Sequence, residues 1–549
     1  MNDMTPRRLS PTEIVRAYHE RTKHSLKGYA AGPGTLDWDA QPEPFREFDG
    51  APRISLALPA TELTAPFGDL FQAGKVFAHR ITLETLGSLL RYAFGLAAWK
   101  EYGPDRWALR CNPSSGNLHP TEVYAIVRGL PDLEDGLYHY LPREHALERR
   151  CLHARQPDSE PGLWIGLTSI HWREAWKYGE RAFRYCLLDT GHALGALGYA
   201  AAALGWRTDL VAPLTASCLP TLLGTGRHAD FEGAEAEDPE ALIAITAADA
   251  GQRPRPVLPD IEEADWYGQA NTLDPHPMYR WPIIGEAAEA SCATGEPGGR
   301  GTGPDPADPS RKPMPGEGQT LPCGDIFLQR RSAQRFDART EMPKESFFAM
   351  LDALLPREGG PFSPLGSAPR LHPVLFVIRV KDLEPGVYAL PRHGQAAERL
   401  KALLDPQFGW QKVEGAPEHL PLYRLVEGDK RHIARMVSCG QWIASDGCFS
   451  LGMLGEYDAP IGRDPHAYRS LHFEAGLLGQ VLYLQAEAAG FRGTGIGCFF
   501  DDDFHGALGL KDTTFQSLYH FTVGYPKTDS RITTLPPYPS DAPAAPASG

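Results

Sequence analysis

Leu133-Glu134-Asp135-Gly136-Leu137-Tyr138, followed by Pro142-Arg143, returns as Leu383-Glu384-Pro385-Gly386-Val387-Tyr388 followed by Pro391-Arg392. Leu118-His119-Pro120, ahead of the apolar run Val123 to Val127, returns as Leu371-His372-Pro373 ahead of Val374 to Val380. The offset is about 250 residues here. It grows to about 285 where Ala201–Leu204-Gly205-Trp206 parallels Ala486–Ala489-Gly490-Phe491. A period this long marks duplicated domains, not a solenoid of short repeats. A two-fold dimer builds each interfacial site from both partners, so a fused pair needs to keep only one.

Working outward, the chain divides into an extension at 1–60, a first domain at 61–250, a flexible linker at 251–320, a second domain at 321–535 and a disordered tail at 536–549. In the extension a helix is predicted from Pro11 to Thr22, with Thr12 as cap and Glu13 in its first turn. Strands are predicted at Glu122 to Val127, Gly136 to Tyr140, Val374 to Val380 and Gly386 to Leu390. Asp189 to Leu204 and Leu471 to Ala489 read as long helices at the domain centres. The first is apolar nearly all round and rich in Ala and Gly, which marks a buried helix that a second can approach closely. The Pro- and Gly-rich stretches after Glu296 and Lys312 carry too little apolar surface to order themselves. The fold class is α+β, with a modest sheet between helical layers.

Of 549 residues, 42% are apolar, enough for ordinary cores, and the formal charge is −15. That charge argues against nucleic acid and anionic membranes as partners. No apolar run approaches the ~20 residues of a membrane span. Met1 to Ser10 has Arg7 and Arg8 but no apolar segment, so no secretory signal is expected. Nine cysteines without a C-x-x-C predict reduced, cytoplasmic thiols and no structural metal.

Four stretches carry candidate chemistry. Arg330-Arg331-Ser332-Ala333-Gln334-Arg335 puts three guanidiniums and a hydroxyl within six residues, a set that suits a phosphate or a solvated helix start. Pro113-Ser114-Ser115-Gly116-Asn117 is a turn whose small polar side chains can line the edge of a planar ring, or simply turn the chain. Gly493-Thr494-Gly495-Ile496-Gly497-Cys498 reads as a loop that lets backbone N–H groups approach a ligand. Lys177-Tyr178, ahead of the first long helix, offers a base if burial lowers the lysine pKa, and otherwise an exposed charged helix start. In each case the other copy has lost the pattern.

Together these stretches resemble the nitroreductase-like flavoproteins, and most closely their SagB-type (ThcOx) dehydrogenase branch. The resemblance covers both copies and implies a tandem fusion of two such domains as an intramolecular pseudo-dimer. It implies that Arg330, Arg331, Ser332 and Arg335 grip the phosphate and ribityl chain of FMN. It implies that Pro113, Ser114, Ser115, Gly116 and Asn117 reach the flavin ring from the other half. Gly495, Ile496 and Gly497 would lie beside the flavin, Lys527 and Arg531 would assist at the phosphate, and Lys177 and Tyr178 would be catalytic. Each copy retains what the other lacks, so one FMN per chain is expected.

By resemblance the first functional reading is oxidation of a heterocyclic (azoline-like) or amino-acid-derived substrate, small molecule or peptide. Lys177 would take the proton while hydride leaves for the flavin. A second reading is an NAD(P)H-dependent nitro or quinone reductase. A third is a flavin-free scaffold beside a biosynthetic partner enzyme in a peptide-modification complex.

Overall fold

The structure is a computed structural model. It describes residues 8–58, 62–72, 74–153, 160–211, 218–247, 264–292, 314, 316, 318–357, 360–365 and 368–538.

The fold is mixed α+β, and its two halves share one strand order. In the first, Ala146–Leu152, Gly136–Leu141, Thr121–Arg128, Gly162–Ser169, Asp238–Ala247 and Trp206–Leu210 lie side by side. In the second, Tyr423–Glu427, Gly386–Ala389, Leu371–Val377, Phe449–Glu456, Phe515–Gly524 and Arg492–Ile496 repeat that order. Neighbours are antiparallel, and the repeated Leu-His-Pro leads into the central strand of each sheet. Thr121–Arg128 and Leu371–Val377 are buried at every position. Strands covered on both faces read as continuous apolar runs without alternation. With eight and seven strands among the described residues, the sheets are larger than the modest sheet expected. Strands such as Gly162–Ser169 and Phe515–Gly524 carry Gly, Ser, Gln and His among their apolar residues, which blurs the pattern.

The two long helices span Ala182–Ala203 and Ala467–Ala488 and begin several residues before the sequence suggests. Both are buried along nearly their whole length and pack against each other. The crossing depends on Gly191 and Gly476. A Cβ on Gly191 would overlap the carbonyl oxygen of Phe473, and one on Gly476 that of Leu188. Absence of side chains at these two positions lets the backbones touch.

The extension belongs to the core. Its helix, Pro11–Arg21, is capped by Ser10, with Glu13 returning the bond in a capping box. Thr12, the expected cap, instead donates to Ile461 O at 3.4 Å. Tyr18 is fully buried, donates to Glu180 O at 2.7 Å and packs edge-on against Phe183 and Tyr468. The helix therefore wedges between the starts of both central helices.

Three expected boundaries change. Residues 264–292, read as linker, include paired strands at Asp265–Trp266 and Gln269–Ala270 and a helix at Pro282–Ala290. They are ordered because Leu273, Ile284, Ala287 and Ala288 are buried. The stretches 251–263 and 293–313 lie outside the described residues. The second half does not end in a free tail at 536: Thr533–Leu535 adds a strand to the first-half hairpin Leu96–Tyr102/Asp105–Arg110. Tyr538 is buried beyond it, donating to Pro142 O at 2.7 Å and accepting from Leu96 N at 3.0 Å. Residues 539–549 lie outside the described residues. The extension also feeds the first sheet, where Arg53–Ser55 pairs with Ala146–Leu152.

Candidate active site

A cavity of about 480 Å³ opens between the halves and gathers most of the stretches singled out by sequence. The turn Pro113–Asn117 and Tyr178 line it from the first half, and Arg330–Arg335, Gly495–Gly497 and Lys527 from the second. Its wall is strongly cationic: Lys100, Arg110, Arg330, Arg331, Arg335, Arg492 and Lys527 face Asp189 and Asp529. Such a wall, with one apolar and aromatic flank, suits an anionic ligand carrying a planar body.

The arginine cluster follows the end of helix Cys323–Gln329, so it is neither an exposed helix start nor a free loop. Arg330 is buried and reaches across to the first half, donating to Arg110 O at 2.9 Å and Cys111 O at 3.1 Å. Arg331 donates to Ala97 O at 2.9 Å, and burial lowers its pKa to about 10. Both therefore hold the halves together while lining the cavity. Ser332 meets the Tyr483 hydroxyl at 2.8 Å. Arg335 and Lys527 are exposed at the rim, where Lys527 N donates to Arg335 O. Arg531 is the phosphate candidate left out. It lies outside the cavity lining, 65% exposed and ion-paired with Asp529.

The glycine stretch is largely a strand, Arg492–Ile496, at the edge of the second sheet. Its glycines answer to packing. A Cβ on Gly495 would overlap the Tyr519 hydroxyl, and one on Gly497 the Tyr185 ring. Gly495 N donates to Tyr483 OH at 3.0 Å, so that amide is already used within the protein.

Lys177 and Tyr178 end the helix His171–Tyr178 and converge on the opposite turn. Gly116 has φ +60°, and a Cβ there would sit 2.6 Å from the Tyr178 hydroxyl and 3.2 Å from Lys177 Nζ. Tyr178 lines the cavity; Lys177 does not. The ammonium lies 5.4 Å from the Trp38 ring and 5.4 Å from the Tyr178 ring. Burial lowers its pKa, opposed by nearby Glu174. Burial raises the Tyr178 phenol.

Sequence reasoning missed Asp189, Glu174 and His192. Asp189 accepts from Ser115 N at 3.0 Å and from Ser115 Oγ at 2.9 Å, anchoring the turn. Burial pushes its pKa up to about 7, against the pull of the Ser114 and Ser115 donors. Glu174 is fully buried beside it, and burial with the Asp189 charge drives its pKa well above the carboxylate range. His192 meets Tyr519 OH at 3.0 Å, and burial lowers its pKa to about 3, so the ring is neutral. The available signal was Asp189 and His192 standing three apart in the run Asp189 to Leu204, which is otherwise almost wholly apolar.

Beneath this wall Asp501 joins three parts of the chain. It accepts from Arg184 at 2.8 Å, Arg181 at 3.1 Å and His24 N at 3.0 Å, with all three side chains almost wholly buried or, for His24, 8% exposed. Burial opposes its charge, but Arg181 and Arg184 outweigh that and hold the carboxyl far below its usual range. Arg181 also donates to Gly497 O at 3.2 Å, which ties the ion pair to the cavity wall.

A second cavity, of about 410 Å³, is also lined from both halves, but its chemistry differs. Leu210 stands there at the end of the edge strand equivalent to Arg492–Ile496. Among the described residues its single arginine, Arg469, is paired with Glu240. Elsewhere in the second half His372, His393 and Glu456 cluster with metal-like spacing. However, Glu456 is paired with Arg370 and Arg399, and His372 Nδ1 accepts from Arg392 N, which leaves its Nε2 carrying the proton.

Residues 327–525 match the family model described as "Nitroreductase family". A protein named "putative nitroreductase" from Methanocaldococcus jannaschii is 27% identical over 145 residues, 23% of this chain and 67% of that protein. The crystal structure of a "putative nitroreductase" from Anabaena variabilis superposes with a TM-score of 0.68 at 22% identity. It covers 94% of this chain and 99% of its own, a likeness of fold across both halves. Among the described residues no helix is long and apolar enough to cross a membrane.

Proposed function

We propose that the chain is an FMN-dependent dehydrogenase of SagB/ThcOx type, with one flavin in the cavity between its halves. In this reading 61–250 and 321–535 are two nitroreductase-like domains fused as an intramolecular pseudo-dimer. One observation carries it: Pro113–Asn117 and Arg330–Arg335, more than 200 residues apart in sequence, line the same cavity. Among the described residues the second cavity offers no comparable cationic cluster, which supports a single site.

The donor set fits FMN. Arg331, Arg335, Lys527 and neighbouring Lys100 and Arg492 supply charge for a phosphate. Pro113–Asn117, Tyr178 and the Gly495–Gly497 wall bound the space for a planar ring. Bound flavin supplies a two-electron hydride acceptor. The protein's own residues would orient the substrate and move its proton. Tyr178 presents its hydroxyl to the cavity. Lys177, its pKa lowered by burial, stands behind the cavity wall, and both groups approach Gly116, so the lysine would take the proton by way of the phenol. The substrate class is a heterocyclic or amino-acid-derived C–N or C–C bond, in a small molecule or in a peptide delivered by a biosynthetic partner.

Lys177→Ala tests this reading. It should abolish azoline oxidation while leaving bound FMN per chain unchanged; full oxidation by this variant would sink the role of Lys177. The family match to the second half favours one rival, an NAD(P)H-dependent nitro or quinone reductase. That activity needs no lysine base and would survive the substitution.

A further inference from the structure

We propose that Cys439 and Cys498 form an oxidisable dithiol at the rim of the cavity and close to a disulfide under hydrogen peroxide. Cys498 follows the Arg492–Ile496 strand and lines the cavity; Cys439 sits in the turn after helix Arg431–Val437. Two bonds hold these segments side by side. Phe500 N donates to Val437 O at 2.7 Å, and Gln441 Nε2 donates to Cys498 O at 3.1 Å. The two cysteines lie between these bonds, Cys439 two residues beyond Val437 and Cys498 two residues before Phe500. Both are half-buried, so a small oxidant can reach them, and neither is in a disulfide. Cys439 has φ +53°, an uncommon conformation for a residue with a side chain.

The pair is chemically unequal. The neighbouring Cys439 thiol and Arg181 lower the Cys498 pKa against burial, while the Cys439 thiol is raised. Cys498 is therefore the nucleophile and Cys439 the resolving thiol. The Cys498 thiolate attacks one peroxide oxygen, breaking O–O to give a sulfenic acid and hydroxide. The Cys439 sulfur then attacks the sulfenic sulfur, forming S–S and expelling the hydroxyl as water once the thiol proton is transferred. Overall two thiols and one peroxide become one disulfide and two waters. Peroxide is the product released when molecular oxygen reoxidises a reduced flavin. The chemistry of the pair does not require that source; only its link to turnover rests on the proposed function. Closing the disulfide ties the turn to the strand whose residues form the cavity wall.

The test uses the full-length chain, reduced, desalted and treated with hydrogen peroxide. Non-reducing peptide mapping should show a peptide joining Cys439 to Cys498 and the loss of two of nine free thiols, restored by dithiothreitol. Cys439→Ser should abolish the linkage and leave a dimedone-trappable sulfenic acid on Cys498. Sulfinic acid on Cys498 without linkage in the native chain, or modification confined to Cys218 and Cys292, overturns the proposal. In the FMN-loaded protein the linked form should release FMN several-fold more slowly than the reduced form. Equal release with the linkage confirmed would overturn the effect on the rim while leaving the disulfide standing.

Discussion

Asp501→Asn removes one charge from a site where two arginines and the backbone of the extension converge. The asparagine keeps the volume and one oxygen, which can still accept from His24 N or from one guanidinium. The other guanidinium keeps its burial and loses its anion. Breaking a buried ion pair from one side costs about 3–5 kcal/mol, because an uncompensated charge is left behind. The retained oxygen places the expected loss near the lower end, about 3 kcal/mol. Urea unfolding of both proteins, followed by intrinsic fluorescence with the slope fitted separately, measures it. The Arg181 bond to Gly497 O adds a second consequence: FMN affinity should fall together with stability. Where the retained oxygen turns to a guanidinium, His24 N loses its acceptor, and limited proteolysis should then cut the extension earlier. A stability loss below about 1 kcal/mol would refute the reasoning, since it would mean that Arg181 and Arg184 are hydrated or otherwise paired.

Gly116→Ala should weaken FMN binding by about tenfold, since it strains a positive φ and crowds the Tyr178 hydroxyl, a cost of about 1.4 kcal/mol; equilibrium titration of the apoprotein measures it, and unchanged affinity would show that the turn does not touch the flavin. Asp189 makes the apoprotein pH-sensitive. Its folded pKa of about 7 lies above the ordinary 3.8, so its contribution is fully present below pH 3.8 and lost as pH rises through about 7. Asp189→Asn should flatten that decline in urea midpoints measured from pH 5 to 8; an unchanged slope would assign the pH dependence to another group.

The repeat was legible because it is a matter of spelling: Leu-His-Pro and the Gly-x-Tyr hairpin mark equivalent strands in both sheets. The pairing of Pro113–Asn117 with Arg330–Arg335 was legible for the same reason, since each copy lacks what the other has. Strand number was not, because Gly162–Ser169 and Phe515–Gly524 mix polar residues into fully buried runs. The linker misread 264–292 because Pro and Gly nearby outweighed four scattered apolar residues that bury only in tertiary contact. Arg531 carried the right residue type, but its neighbour Asp529 captures it two positions away. Asp501 follows the glycine stretch in sequence, and nothing local marks its role. Its partners lie more than 300 residues away at Arg181 and Arg184, and more than 470 away at His24.

The central claim is that one flavin is held jointly by the two halves. Released flavin per chain, measured on native protein and on Arg331→Ala and Asn117→Ala separately, tests it most directly. The expected result is about one FMN per native chain, lost in both variants although their residues come from opposite halves. Two FMN per chain, or one that persists when either half is altered, would contradict it.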